Sequence, residues 1–159
     1  MSVDGWTIER ALQNGVIMEE GAYELYTNAQ KKVKDLGSKQ MLKELAGDEL
    51  LHKEYFTKAL KDPSKVIEAS KIQDLKKVVK KLGVTDPLTE PDLKLDATYQ
   101  EILVFAAKSE KLAYEFYSAL AKQYHEHPLS KTWESFAQME LGHKTKLEKE
   151  YEDVILRDN

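Results

Sequence analysis

The chain has 159 residues, of which 28 are acidic and 24 basic, giving a formal charge of −4, and it contains no cysteine. The missing cysteine excludes disulfides, thiolate metal ligands, iron–sulfur clusters and iron held by four thiolates, while the interspersed charge leaves no basic face for nucleic acid or an anionic membrane. The length suits one domain, no apolar run approaches the roughly 20 residues of a membrane span, and the start Met1-Ser-Val-Asp-Gly-Trp6 lacks the basic and apolar regions of a secretory signal, so a soluble cytoplasmic protein is expected.

After a short leader ending near Asp4 or Thr7, apolar residues recur at Ile8, Leu12, Val16, Ala22, Tyr23, Tyr26, Ala29 and Val33. This spacing of three and four predicts helix 1 over about 6–36. Gly37 is placed to end it in the left-handed conformation and Ser38 to cap the next helix. Helix 2, over about 39–61, carries Met41, Leu42, Leu45, Phe56, Ala59 and Leu60 on one stripe and is stopped by Asp62-Pro63, because proline cannot continue a helix interior.

The stretch 62–95 reads differently. Ser70 and Gln73 form a capping box for a short helix carrying Ile72, Leu75, Val78, Val79 and Leu82 and ended by Gly83, after which a loop contains Pro87 and Pro91. A connection of this length lets the chain return along a bundle and start its third helix parallel to the second, which a short loop cannot do. Helix 3, over about 97–126, starts at an Asp96 cap, runs through Ile102, Leu103, Ala106, Ala113, Tyr114, Tyr117, Ala121 and Tyr124, and breaks at His127-Pro128. Helix 4, over about 131–156 and capped by Ser130, carries Trp133, Phe136, Met139, Leu147, Tyr151 and Val154. The expectation is an all-α four-helix bundle: two antiparallel hairpins joined by a long crossover.

The hairpins are copies of each other. Met18-Glu-Glu-Gly-Ala-Tyr-Glu-Leu-Tyr26 returns 91 residues later around Glu110, in Ser109-Glu-Lys-Leu-Ala-Tyr-Glu-Phe-Tyr117, with Glu19 matching Glu110. Thirty residues after each of these glutamates comes a Glu-x-x-His pair, Glu49 with His52 and Glu140 with His143. All six residues interrupt apolar stripes, so a bundle would bury four carboxylates where an unpaired charge costs several kcal/mol. No lysine or arginine shares those stripes near the glutamates. Two divalent cations would cancel the four charges and take nitrogen from both imidazoles. One glutamate from each of two helices and one Glu-x-x-His from each of the others is the ligand set of carboxylate-bridged di-iron and di-manganese bundles. Glu19, Glu49, His52, Glu110, Glu140 and His143 are therefore the candidate metal ligands, with the four glutamates also the candidate catalytic groups. Tyr26 and Tyr117 lie on the same faces and are placed to hydrogen-bond ligand carboxylates. His125 and His127, at the turn before Pro128, are read as solvated.

These residues resemble the rubrerythrin group of the ferritin-like superfamily, through Glu19 with Ala22-Tyr-Glu-Leu-Tyr26, Leu45-Ala-Gly-Asp-Glu-Leu-Leu-His52, Glu110 with Tyr114-Glu-Phe-Tyr117, and Phe136-Ala-Gln-Met-Glu-Leu-Gly-His143. The resemblance implies a non-haem pair of iron ions bridged by carboxylates of helices 2 and 4, and reduction of hydrogen peroxide at the ferrous pair. It also marks two departures. Rubrerythrins carry a further glutamate one turn after the helix 3 ligand, where this chain has Ala113, and they commonly carry a rubredoxin domain, which a chain without cysteine cannot form. An external electron donor, such as a separate rubredoxin-like protein, is then required. With Ala113 the ligand set equals the symmetric one of bacterioferritin ferroxidase centres, so oxygen-dependent ferroxidase or oxidase activity, or iron binding without peroxidase turnover, is the alternative. Haem is not expected, because the methionine that would ligate it is replaced by Leu50. Manganese is the other metal this ligand set accepts. The long crossover would let one hairpin pack on a partner's, and a homodimer is the expected assembly.

Overall fold

The computed structural model describes residues 3–61 and 96–158. The crossover over 62–95 and its short helix lie outside the described residues. Four long helices account for most of the rest: α1 (Ile8–Ala29), α2 (Leu36–Leu60), α3 (Tyr99–Gln123) and α4 (Ser130–Asp158), with a single turn of 3-10 helix at Gln30–Lys32 between the first two. Among the described residues there is no strand, and the fold is an all-α four-helix bundle.

Two apolar layers fill the interior, and their membership gives the topology. One layer joins the start of α1 (Leu12, Ile17), the end of α2 (Phe56), the end of α3 (Phe116, Leu120) and the start of α4 (Trp133). The other joins the end of α1 (Leu25, Ala29), the start of α2 (Leu42, Leu45), the start of α3 (Ile102, Leu103) and the end of α4 (Leu147, Val154). Helices α2 and α3 thus run in the same direction, α1 and α4 run opposite to them, and α1–α2 and α3–α4 are each an antiparallel hairpin. Parallel α2 and α3 are what the long crossover was expected to permit. Between the two layers, at mid-height, the bundle interior is polar.

The caps differ in detail from expectation. Thr7 caps α1, its hydroxyl accepting from the Arg10 amide at 3.1 Å. The first hairpin turn is longer than expected: α1 ends seven residues early, at Ala29, and Asp35 rather than Ser38 caps α2, accepting from the Ser38 amide at 2.8 Å. Gly37 lies inside the first turn of α2, and among the described residues the glycine at positive φ is Gly5 instead. Asp35 wins because its longer reach lets one carboxylate oxygen serve both the amide and the hydroxyl of Ser38. Thr98, not Asp96, caps α3, in a capping box with Glu101. Ser130 is the first residue of α4, and its hydroxyl donates back to the Ala121 carbonyl at 2.8 Å, tying the two ends of the second hairpin together.

Candidate metal centre

All six residues singled out by the internal repeat converge between the two apolar layers. Glu19 comes from α1, Glu49 and His52 from α2, Glu110 from α3, and Glu140 and His143 from α4; each is only 1–2 % exposed. The three-residue spacing within Glu-x-x-His places both side chains on one helix face about a turn apart. The equal offsets bring the two hairpins' copies to the same height.

The potential donor atoms fall into two overlapping groups. Glu19, Glu49, His52 and Glu140 each offer an atom within 4.8 Å of the others, and so do Glu49, Glu110, Glu140 and His143. Glu49 and Glu140 belong to both groups, so the two carboxylates from α2 and α4 are the shared ones. Glu19 with His52 and Glu110 with His143 complete one group each. Both imidazoles turn Nδ1 inward: His52 Nδ1 is 3.3 Å from Glu19 Oε1 and 3.0 Å from Glu140 Oε1, and His143 Nδ1 is 2.9 Å from Glu49 Oε1 and 3.6 Å from Glu110 Oε1.

Those distances are short, but most of the approaches are not aligned as hydrogen bonds. Glu19 Oε2, Glu49 Oε1, Glu110 Oε2, Glu140 Oε1 and His143 Nδ1 are all buried without a hydrogen-bond partner. A buried polar atom left in this state costs about 1–3 kcal/mol, more when charged. Five of them in one cluster, from residues whose donor atoms gather within 4.8 Å of one another in two groups, fit a pair of divalent cations. The hard carboxylate oxygens and borderline imidazole nitrogens suit first-row transition metals.

Electrostatics carries the same imprint. Burial, followed by the charges of Glu110 and Glu19, pushes the carboxyl groups of Glu49 and Glu140 well above the usual range. Burial opposes a charge on His143, yet its closeness to Glu110 and Glu49 outweighs this and raises it to about 11. Glu110 is held low despite its burial, by Glu140, His143 and Tyr26. Without metal, protons do what cations would otherwise do: they neutralise surplus carboxylates and charge an imidazole among them.

Tyr26 and Tyr117 each reach across the bundle rather than along their own helix. Tyr117 Oη donates to Glu19 Oε1 at 2.7 Å, and Tyr26 Oη donates to Glu110 Oε1. Each phenol thereby fixes one oxygen of the other hairpin's glutamate and leaves Oε2 free. Burial and the adjacent carboxylates raise both phenols well above their usual range, so they remain donors. A cavity of only about 10 Å³ touches the carboxylates, and Ala22 and Ala113 are in its wall.

Sequence reasoning missed two polar contacts outside the cluster. His143 Nε2 lies 3.0 Å from Asp48 Oδ2, and His52 Nε2 lies 2.8 Å from Met139 Sδ. Their signal was the position just before each Glu-x-x-His glutamate, held by Asp48 in one hairpin and by Met139, read as a residue of the apolar stripe, in the other. Of the remaining histidines, His125 is exposed, whereas His127 Nδ1 accepts from the Leu129 amide at 3.1 Å and helps form the turn.

The model of the family described as Rubrerythrin matches residues 10–94 and 101–159. No curated protein and no solved structure matches the chain.

Proposed function

The chain belongs to the rubrerythrin family, and from that premise we propose that it is a non-haem di-iron oxidoreductase that reduces hydrogen peroxide with electrons from an external donor. The observation that carries the proposal is the pair of overlapping donor groups sharing Glu49 and Glu140. Glu49 and Glu140 would hold both ions, Glu19 and His52 one of them, and Glu110 and His143 the other. Bound there, two ferrous ions supply one electron each, the two that cleavage of the peroxide oxygen–oxygen bond to give two waters consumes along with two protons.

The chain's own residues set the terms of that reaction. Near-complete burial excludes bulk water, which strengthens every charge interaction in the centre. The cavity against the carboxylates is about the size of one water, so the chain selects for oxidants of two heavy atoms and against bulky organic substrates. Tyr26 and Tyr117 hold their protons on Oη and keep Glu110 and Glu19 in one orientation as the charge of the centre changes. These 159 residues hold no cysteine for a thiolate-bound iron, which supports a donor outside them. Homodimer assembly belongs to the same proposal and is checked by light scattering on the purified protein.

Oxygen as oxidant, in a ferroxidase or oxidase reaction, is favoured by one specific feature. With Ala113 in place, the centre has, among the described residues, four glutamates and two histidines and nothing further to follow an ion that changes oxidation state. Anaerobic stopped-flow mixing of the ferrous protein with hydrogen peroxide, and separately with dissolved oxygen, distinguishes the two through the near-ultraviolet absorbance of ferric iron. Oxidation many-fold faster with peroxide is expected. Equal or faster oxidation by oxygen would move the assignment to a ferroxidase or oxidase, and no ferric signal with either would leave an iron-binding protein without turnover.

A further inference from the structure

The internal repeat that makes the centre symmetric also shows where the symmetry is broken. Asp48 and Met139 are equivalent positions, 91 residues apart, each immediately before the shared glutamate of its own helix. Each reaches over to the outer nitrogen of the opposite hairpin's histidine: Asp48 Oδ2 to His143 Nε2 at 3.0 Å, and Met139 Sδ to His52 Nε2 at 2.8 Å. Geometry and exposure match, since the Asp48 side chain is 38 % exposed and Met139 is 40 % exposed. The difference between the two halves is therefore chemical.

That difference acts on the donor atom facing the centre. A carboxylate on Nε2–H fixes the tautomer in which Nδ1 carries the lone pair, and its charge raises the donor strength of Nδ1. A thioether is a weak, uncharged acceptor and does neither well. The surroundings of His52 add to the contrast: its ring stacks on Phe136 with centroids 4.0 Å apart and planes 20° apart, and the residue equivalent to Phe136 in the other hairpin is Leu45.

We propose that Met139 makes the two cation positions unequal: the position of Glu110 and His143, backed by Asp48, binds a divalent cation tightly and fills first, and that of Glu19 and His52, backed by Met139, binds it weakly. The His143 position then keeps a resident ion, and the His52 position is the exchangeable one. This rests on the reading of the cluster as a two-metal centre. Outer partners of a metal-bound histidine typically change metal affinity by about 10–100-fold, which is the separation expected between the two binding steps.

The test is anaerobic calorimetric titration of the metal-free protein with Co(II), with anomalous diffraction from crystals grown at one equivalent to locate the first ion. The wild type is expected to show two separated steps, with the first ion beside His143. Met139→Asp is expected to tighten the second step about 10–100-fold and leave the first unchanged, and Asp48→Met to weaken the first by a similar factor. Both positions are substantially exposed, and thermal unfolding of each metal-free variant checks that the bundle is intact. A first ion at His52, an equal distribution over both positions, or a Met139→Asp titration identical to wild type would overturn the proposal while leaving the two-metal centre standing. No Co(II) binding at all would overturn both.

Discussion

At the scale of single residues, the centre is a set of side chains whose best local state is not reached by protein alone. Glu49 shows this most sharply. Its carboxyl is forced upward by burial and by Glu110 and Glu19, so replacing it by a neutral isostere relieves the metal-free protein while removing a carboxylate common to both donor groups. Glu49→Gln is expected to raise the melting temperature of the metal-free form and to abolish most of the gain on adding metal; calorimetry with and without Co(II) reads both. A merely structural carboxylate would give a loss in both forms. The tyrosines should behave differently. Tyr117→Phe leaves Glu19 Oε1 without its phenol donor, and Tyr26→Phe does the same to Glu110. Each is expected to cost about 1–3 kcal/mol in urea unfolding of the metal-free protein.

The six candidate ligands could be read from the chain because each breaks an apolar stripe, an expensive arrangement that a sequence without a site has no reason to contain twice. The tyrosines could be read as facing inward, but not as bonding across the bundle. That depends on how the two hairpins are rotated against each other, which helical spacing does not encode. Asp48 and Met139 were illegible for a related reason. Asp48 lies one position off the stripe, Met139 was read as an apolar stripe residue although it is 40 % exposed, and only the packing of α2 against α4 brings them to the opposite histidines.

At the scale of elements, the stripes located all four helices, while their ends were set by competition among neighbouring caps. Ser38, Asp35 and Gly37 all carry cap chemistry within four residues, and Asp35 prevails because it satisfies two donors. Asp96 lost to Thr98 because only Thr98 has a glutamate three residues on to close the box. Thr98→Ala is accordingly expected to cost about 1 kcal/mol, and Asp96→Ala much less, as measured by chemical denaturation.

The approach of α1 to α2 depends on a feature that spacing alone does not show. A Cβ on Gly15 would meet Cδ2 and Cε2 of Phe56 at 2.8 Å. Phe56 cannot move away freely, since its ring is packed on Tyr117 and Phe136, with centroids 5.6 and 5.3 Å away. Gly15→Ala, which raises helix propensity, is nonetheless expected to destabilise the protein by about 1–3 kcal/mol through overpacking. A neutral or stabilising result would show that the first hairpin is looser than the packing indicates.

For the whole molecule, the same buried groups make stability depend on pH with opposite sign in the metal-free and metal-loaded forms. Glu49 and Glu140 hold their protons more tightly folded than unfolded, so their contribution is fully present below about 4.5 and is lost as pH rises through their raised folded values. His143 contributes in the same direction, fully below about 6.5 and lost as pH rises through about 11. The metal-free bundle should therefore lose stability on going from pH 5 to pH 9. Metal binding displaces those protons and strengthens over the same range, so the difference in melting temperature between loaded and metal-free protein should widen with pH. A chelator should remove that difference altogether, since a ligand that binds only the native state stabilises it by mass action. A gap that stays constant with pH would mean that the metal does not replace protons on these side chains.

The most direct measurement is Mössbauer spectroscopy of protein loaded anaerobically with ferrous iron and then mixed with one equivalent of hydrogen peroxide, with iron counted per chain. Two high-spin ferrous ions per chain, converting together to a magnetically coupled ferric pair and failing to do so in Glu49→Gln, is the result expected of a di-iron centre shared by Glu49 and Glu140. Isolated, uncoupled ferric ions, or fewer than one tightly bound iron per chain, would contradict it.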